Sequence, residues 1–458
     1  MRVFFLIAAL LPAALSAQST TAAPPRPISL DEAIRLARQN SPAMISARNT
    51  IRQNDATVRT RQSNFLPTVS GSLGGSRAGG GESTDGQGRP ITISGGDWSF
   101  SRGLNFNLNL WDSGERLHNL RAARANVVAA EANEEGQRFT VAYSVAQQYY
   151  AALAARESRA AAEAALTEAQ QNLRAAVARI AAGAATRSDS LRSVIAVGNQ
   201  QLALLTAESD LENANAALTR LVGTPFLVTA IESDTGVIVP VAATAAELTA
   251  MLDAIPTIRA ARAALDAARS SSLAAKTAYY PDISLSYSMR QSAVSNGFDF
   301  GLGSPSPART DPQCTGAGAV CEWESRSKWT NSLGFSVSIP LFQGLGREET
   351  ILRNNLAEVN ANASLRDARL LAQQQLTQYL GQLRLAQARI AIQQASLEAA
   401  LEDLRVQQQR YSLGASTQLE LLTTQTQLNS ARYNLVNARY QVRIARAQLE
   451  QLLGREIR

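Results

Sequence analysis

Two stretches of this 458-residue chain decide its fold, because one is a copy of the other. Residues 179–189 read Arg-Ile-Ala-Ala-Gly-Ala-Ala-Thr-Arg-Ser-Asp, and residues 410–420 read Arg-Tyr-Ser-Leu-Gly-Ala-Ser-Thr-Gln-Leu-Glu. Each stretch closes a long segment without proline, and each carries a glycine, which suits the left-handed conformation that ends a helix tightly. We therefore predict two helical hairpins, with tip turns near Gly183 and Gly414.

Other landmarks repeat in the same order along the chain, which indicates an internal duplication. The matched pairs are Phe65-Leu66-Pro67 with Tyr279-Tyr280-Pro281, Leu110-Trp111-Asp112-Ser113-Gly114 with Leu341-Phe342-Gln343-Gly344-Leu345-Gly346, and Leu221-Val222-Gly223 with Leu452-Leu453-Gly454. Each copy is predicted to contain a helix, a strand pair and a helical hairpin.

The duplication sets the predicted domain boundaries. Residues 28–223 form the first repeat, with its strand pair at about 66–111, and residues 247–454 form the second, with its strand pair at about 280–341. Residues 224–246, rich in Val, Pro and Thr, link the two repeats. Residues 18–27 are predicted to be a flexible N-terminal segment.

Residues 1–17 have the pattern of a secretory signal peptide. Arg2 precedes an apolar run from Val3 to Leu15, and Ser16-Ala17 provides small residues for cleavage. The run is too short for a transmembrane helix, and no later apolar run approaches the roughly 20 residues that such a helix needs. We expect an exported chain that could enter a membrane only as β-strands.

The strand segments alternate between apolar and polar residues, which predicts strands with one apolar face. The apolar members are Leu104, Phe106, Leu108 and Leu110, then Ile283, Leu285, Tyr287 and Met289, then Leu333, Phe335, Val337 and Ile339. With a weaker strand after Pro67, the chain offers four strands. Four strands cannot close a transmembrane barrel, which needs about eight, so a membrane sheet requires several chains to share one barrel. Trp98, Trp111 and Trp329 lie at or beside strand ends, as interfacial aromatic residues or as ordinary packing.

The helices between strands and tips are very long. Ser113 to Ala182 and Arg347 to Leu413 contain no proline, and about 70 helical residues extend about 100 Å. Such lengths favour coiled-coil-like packing. Periodicity leaves open whether the helices form a hollow cylinder or a solid soluble coiled coil.

Composition argues against several functions. The net charge of +6 is spread along the chain without basic runs, so nucleic-acid binding is not expected. The single histidine, His118, and two cysteines, Cys314 and Cys321, exclude a His/Cys zinc cluster and disfavour a histidine triad. Asp112, Glu115 and His118 share a helix face by spacing, but no nucleophile motif accompanies them. We predict no enzyme activity, no cofactor and no metal, with His118 structural.

Cys314 and Cys321 are close enough to staple the long loop between Ser292 and Ser327. Export to an oxidising compartment favours a disulfide between them, with two free thiols as the alternative.

This arrangement resembles the TolC-like outer-membrane efflux proteins over essentially the whole mature chain. The resemblance is carried by Phe65-Leu66-Pro67, Tyr280-Pro281, Trp111-Asp112-Ser113-Gly114 and the two tip turns, in order and duplicated. It implies a mixed fold: long antiparallel helical hairpins that form an α-barrel, and four strands per chain in a shared 12-stranded β-barrel of a homotrimer. Residues 224–246 correspond to the equatorial belt.

The resemblance also implies a function. The family forms the outer-membrane exit duct of tripartite efflux or type I secretion systems, and it passes drugs, metal ions or unfolded proteins outward without catalysis. Its implied partners are a periplasmic adaptor (membrane fusion) protein, an inner-membrane pump and outer-membrane lipid. A soluble periplasmic coiled-coil adaptor is the alternative, which the strands with apolar faces disfavour.

Site residues at the tip follow from the same resemblance. Arg179, Gly183, Arg410 and Gly414 are the expected adaptor contacts, although each arginine has an alternative as a plain surface residue. The family's closed gate links an acid, a tyrosine and an arginine; Asp189 and Tyr411 match, whereas the arginine position holds Ser416.

Glu420 matches the first of two paired acids that attract cations in the best-known member of the family, and Thr423 occupies the second position. Three such glutamates around a narrow pore would concentrate cations. Alternatively, the negative charge of Glu420 only stabilises the N-terminus of its own helix.

Overall fold

The computed structural model describes residues 25–77, 81–84, 87, 90–93, 98–183, 186–231, 252–295 and 329–457. The chain divides into two compact units. The hairpin unit comprises residues up to Arg48, Glu134–Pro256 and Leu370–Arg458; the sheet unit comprises Asn49–Asn133 and Thr257–Arg369. The signal peptide, Cys314, Cys321 and most of the 224–246 linker lie outside the described residues.

The helices follow the predicted order. They are α1 (Leu30–Asn40), α2 (Pro42–Ser63), α3 (Glu115–Ala181), α4 (Arg187–Val222), α5 (Pro256–Lys276), α6 (Gly346–Ser412) and α7 (Gln418–Leu453). The two longest, α3 and α6, have 67 residues each, and the two that follow the tips, α4 and α7, have 36 each. No helix in the described ranges is both long enough and apolar enough to cross a membrane.

The strands are β1 (Arg26–Ile28), β2 (Thr68–Arg77), β3 (Gly81–Thr84), β4 (Pro90–Ile93), β5 (Trp98–Trp111), β6 (Val228–Ala230), β7 (Asp282–Ser295) and β8 (Trp329–Ser338). Four of them form the predicted strand pairs. The short strands β1, β3, β4 and β6 were not predicted.

The core of the hairpin unit surrounds a small parallel pair, β1 with β6. Ile28 and Val228 are buried in it, and the Tyr149 hydroxyl lies 3.0 Å from the Ile28 carbonyl oxygen and 2.5 Å from that of Ile231. Residues 26 and 27, assigned from the sequence to a flexible segment, are therefore part of a strand. The cause is tertiary, since their partner lies about two hundred residues away in the chain.

The sheet unit contains a four-stranded antiparallel sheet in the order β2-β5-β7-β8. Directly paired residues share a face, and one row runs Val69, Phe106, Tyr287, Leu333. We call this side the apolar face. The opposite side carries Asn and Ser, including hydroxyl pairs Ser284–Ser336 and Ser288–Ser332 at 2.7 Å.

Two predicted loop boundaries differ from the structure. The sequence predicts a Gly-rich polar loop from Ala78 to Pro90, but β3 lies inside that stretch and β4 begins at its last residue, because two four-residue strands give too short an alternation to detect. The loop expected from Ser292 begins later, because β7 continues to Ser295.

The duplicated motifs that join strands to helices act as clamps in the sheet unit. The Arg116 guanidinium lies 4.9 Å from the Phe65 ring centroid and donates to the Asn64 carbonyl oxygen at 3.1 Å. In the second repeat, Arg347 lies 4.1 Å from the Tyr279 ring and donates to the Pro340 carbonyl oxygen at 3.0 Å. Each arginine thus fastens the segment before a strand pair to the segment after it.

Candidate functional site: the tips of the helical hairpins

The first tip turn joins α3 to α4 through Gly183, whose φ of +69° is the left-handed conformation that glycine adopts without strain. The Asp189 carboxylate then accepts hydrogen bonds from the backbone N–H and the hydroxyl of Thr186, at 3.0 and 2.7 Å. These two bonds lower the pKa of Asp189. Among the described residues, the Asp189 carboxylate thus accepts its hydrogen bonds from Thr186, within its own turn.

The second turn, between α6 and α7, repeats this design at Gly414, where φ is +74°. Thr417 and Glu420 form a capping box: the Glu420 N–H donates to the Thr417 hydroxyl at 3.3 Å, and the Thr417 N–H donates to the Glu420 carboxylate at 3.2 Å. A side chain at Gly183 or Gly414 would meet no atom within 4 Å, so the backbone conformation, not space, demands glycine.

Glu420 is held further by two polar side chains. The Ser416 hydroxyl donates to its carboxylate at 2.8 Å, and the Gln407 amide donates to the same oxygen at 3.1 Å and to the Ser416 hydroxyl at 2.6 Å. These hydrogen bonds, with that of Ser416 the largest contribution, lower the pKa of Glu420. Its charge is therefore fixed in place at the beginning of α7.

Arg179 joins the two tips. Its guanidinium lies 4.4 Å from the Tyr411 ring centroid and donates to the carbonyl oxygens of Tyr411 at 3.1 Å and Ser412 at 3.4 Å. The structure thus pairs Tyr411 with an arginine from the end of α3, whereas position 416 holds a serine. Arg410 donates within its own turn, to the Ala415 carbonyl oxygen at 3.4 Å.

Behind the turns, polar contacts connect neighbouring helices. The buried Gln418 amide donates to the Ser193 hydroxyl at 3.3 Å, which joins α7 to α4. The Gln425 amide lies 3.5 Å from the Glu168 carboxylate, which joins α7 to α3. A groove of about 350 Å³ beside them is lined by Glu168, Arg192 and Leu419 among others.

Sequence reasoning named the acids and glycines of the tips but missed Thr186, Thr417 and Gln407. The two threonines had a signal: Thr-x-x-Asp and Thr-x-x-Glu are the pattern of a helix N-terminus. Gln407 had none, because its role depends on how α6 lies beside the following turn.

Of the residues considered for catalysis, Asp112 serves the junction of strand and helix. The Asp112 carboxylate accepts from the Arg116 guanidinium at 2.7 Å and from the Gly114 N–H at 3.2 Å. Partial burial, with the nearby charges of Asp112 and Asp282, raises the pKa of Glu115. Within the described ranges, no cluster of three or more His, Cys, Asp or Glu side chains is arranged to hold a metal ion.

Two hairpins with capped glycine turns alternate along the chain with the strands of one antiparallel sheet, which is the arrangement expected of an outer-membrane channel protein. The family model described as outer membrane efflux protein matches residues 33–224 and 248–455, and the chain belongs to that family.

Individual relatives support the same family assignment. The chain is 26% identical to the pyoverdine export outer membrane protein OpmQ of Pseudomonas aeruginosa, over 88% of this chain and 80% of OpmQ. It is 25% identical to the outer membrane efflux protein BepC of Brucella suis, over 93% of this chain and 85% of BepC. It shares the fold of the CusC crystal structure, with a TM-score of 0.75 at 20% identity over 93% of this chain and 92% of CusC.

Membership establishes the general function. The protein is an outer-membrane exit duct of efflux systems, and its family transports substrates without enzymatic activity. The predicted function is confirmed at this level, and the soluble-adaptor alternative is set aside.

Proposed function

We propose that three copies of this chain form one duct, in which each contributes its four strands to a 12-stranded β-barrel. The supporting observation is the sheet itself: within the residues that the structure describes, its outer strands β2 and β8 each form a strand pair on one side only. An open sheet edge is not tolerated in lipid, so the edges of neighbouring copies must pair. On the apolar face of β8, Leu333 is 72% exposed and Phe335 is 63% exposed, as lipid-facing residues would be.

The helices carry a matching signal for assembly. Leu191, Ile195, Leu202 and Leu205 are spaced along α4 by four, seven and three residues, and all are more than half exposed in the single chain. This is the spacing of a coiled-coil seam, which buries such residues against another helix. Neighbouring copies would cover this stripe when the helices close into an α-barrel.

The capped tips then form the periplasmic end of the duct. We assign Arg179, Gly183, Arg410 and Gly414 to contact with a periplasmic adaptor, which connects the duct to an inner-membrane pump. The open space around both glycines supports this assignment, since a partner helix could approach the backbone closely there. Asp189, Tyr411, Ser416 and Glu420 are the proposed gate.

Two further proposals concern maturation. Residues 1–17 are removed on export, and Cys314 pairs with Cys321 in the oxidising periplasm or outside the cell. Mass measurement of the mature protein tests the first. Alkylation of both thiols only after reduction tests the second.

Cross-linking tests the shared barrel directly. In a chain with Cys314 and Cys321 replaced by serine, one cysteine is placed along β2, starting at Val69, and a second along β8, starting at Val337. Oxidation in isolated outer membranes should give a ladder ending at three chains for the registers that pair. Each single-cysteine variant is the matched control and should give no ladder. If no β2–β8 register gives a ladder, the proposed barrel is wrong.

A further inference from the structure

By strand register, two arginines lie on the apolar face of the sheet, Arg77 at the end of β2 and Arg102 within β5. Arg102 in β5 is paired directly with Gln291 in β7, which is paired with Trp329 in β8, while Leu73 of β2 completes the same row. Paired residues share a face, and Arg102 lies two residues before Leu104 in the same strand. Its side chain therefore belongs to the side of the sheet that carries Leu104, Phe106 and Leu333.

The position of the row along the strands explains how an arginine is tolerated there. From Arg102 to Leu110 the strand rises about 27 Å, or about 21 Å of height at a tilt of about 40°. This is close to the apolar band of an outer-membrane barrel, about 25 Å tall. The neighbouring row, Leu104, Met289 and Asn331, already includes an amide at the β8 edge. Arg102 thus lies at one border of the apolar band, where a charge costs little.

Chain order assigns that border to a leaflet. The helices α2 and α5 precede β2 and β7, and the helices α3 and α6 follow β5 and β8. All four helices therefore join the sheet at the end that lies away from the Arg102 row. This step rests on the proposed function: if the helices extend through the periplasm, the Arg102 row faces the outer leaflet.

The guanidinium is held with part of its hydrogen-bonding edge unused. Arg102 Nε donates to the Gln291 side-chain oxygen at 2.6 Å, and the group lies 5.4 Å from the Trp329 ring centroid. Gln291 is 8% exposed, so the acceptor is fixed. Within the ranges that the structure describes, these are the contacts of Arg102, and they leave its two terminal NH₂ groups available to donate hydrogen bonds to a ligand. Such a fork matches two oxygens of a phosphate.

We propose that Arg102, positioned by Gln291 and Trp329, binds a phosphate group of a phosphorylated glycolipid in the outer leaflet. A lipid fits better than free phosphate, because Leu104 and Met289 in the adjacent row provide apolar surface for its acyl chains. Opposite charge attracts the head group, and the Trp329 ring, 5.4 Å from the guanidinium, helps to position it.

The chain offers a matched control. Arg290 is paired with Gly103, beside Arg102, but belongs to the opposite, polar face of the sheet. Arg102→Gln and Arg290→Gln therefore remove the same charge from nearly the same height on the two sides of the sheet.

Native mass spectrometry of the full chain purified in detergent tests the proposal, with bisphosphorylated lipid A as the probe. We expect wild type and Arg290→Gln to bind equally and Arg102→Gln to bind about tenfold more weakly, as for loss of a charged hydrogen bond. The difference should vanish with dephosphorylated lipid A. Millimolar inorganic phosphate should leave binding by wild type largely intact.

Three outcomes would overturn the lipid site: equal binding by Arg102→Gln, equal weakening by Arg290→Gln, or complete displacement by inorganic phosphate. If Arg102→Gln does not assemble, Arg102→Lys decides, since it keeps the charge without the fork; it should bind more weakly than wild type. Failure of the proposed function would appear separately, as wild-type protein that is not trimeric before any lipid is added.

Discussion

Replacing Arg179 by alanine should open the tip of the duct. This change removes a stacked guanidinium, worth about 0.5–1 kcal/mol at a partly exposed site. It also removes the 3.1 Å hydrogen bond to the Tyr411 carbonyl oxygen, worth about 0.5–1.5 kcal/mol. The 3.4 Å contact with Ser412 is near the distance limit and is counted as zero. The loss of about 1–2.5 kcal/mol per chain corresponds to a factor of about 5–60 in the equilibrium between joined and separated tips.

Single-channel recording in planar bilayers measures this effect. Arg179→Ala should spend about 5–60 times longer in the high-conductance state, relative to the low-conductance state, than wild type does. Arg405→Ala is the matched control, because Arg405 pairs with Glu402 on its own helix at 2.5 Å and joins no second helix by that contact. If Arg179→Ala conducts like wild type, or if both variants change equally, Arg179 does not hold the tips together.

Three other changes test separate parts of the structure. Glu420→Gln should lower the cation preference of single-channel current; unchanged selectivity would limit Glu420 to its capping role. Hydrogen bonds lower the pKa of Glu420, so its ionised carboxylate should stabilise the turn fully above the ordinary glutamate pKa. This stabilisation should be lost as pH falls through the lowered pKa. The cation preference of wild type should therefore persist at pH values just below the ordinary glutamate pKa. Gly414→Val should impair export while leaving a native mass of three chains, because the strained backbone, at about 1–2 kcal/mol, moves the adaptor contact; normal export would refute that contact. Tyr149→Phe should destabilise the β1–β6 pair by about 1–3 kcal/mol and speed hydrogen exchange at Ile28, and unchanged exchange would show that the hydroxyl does not hold the pair.

Much of the fold could be predicted because its signals are local. The alternation around Phe106 is a period of two, and long proline-free segments ending at glycine gave α3 and α6 to within about two residues. The duplication supported each prediction with a second copy. The capping threonines were also readable from their spacing to Asp189 and Glu420.

The rest depended on tertiary contacts that a local pattern does not contain. Three-residue strands such as β1 are stabilised by burial of Ile28 beside Tyr149, not by their own sequence. The pairing of Arg179 with Tyr411 depends on the lateral register of α3 against α6. The position of Arg102 was partly readable, since it continues the alternation of Leu104 and Phe106, but its partners Gln291 and Trp329 follow only from strand register.

The central claim is that this chain forms a shared outer-membrane duct. The most direct test is the native mass of the mature protein extracted with detergent from purified outer membranes, followed by its conductance in a planar bilayer. We predict a detergent-dependent species of three chains that conducts ions. A monomer recovered from the soluble periplasmic fraction, stable without detergent and unable to conduct, would contradict it.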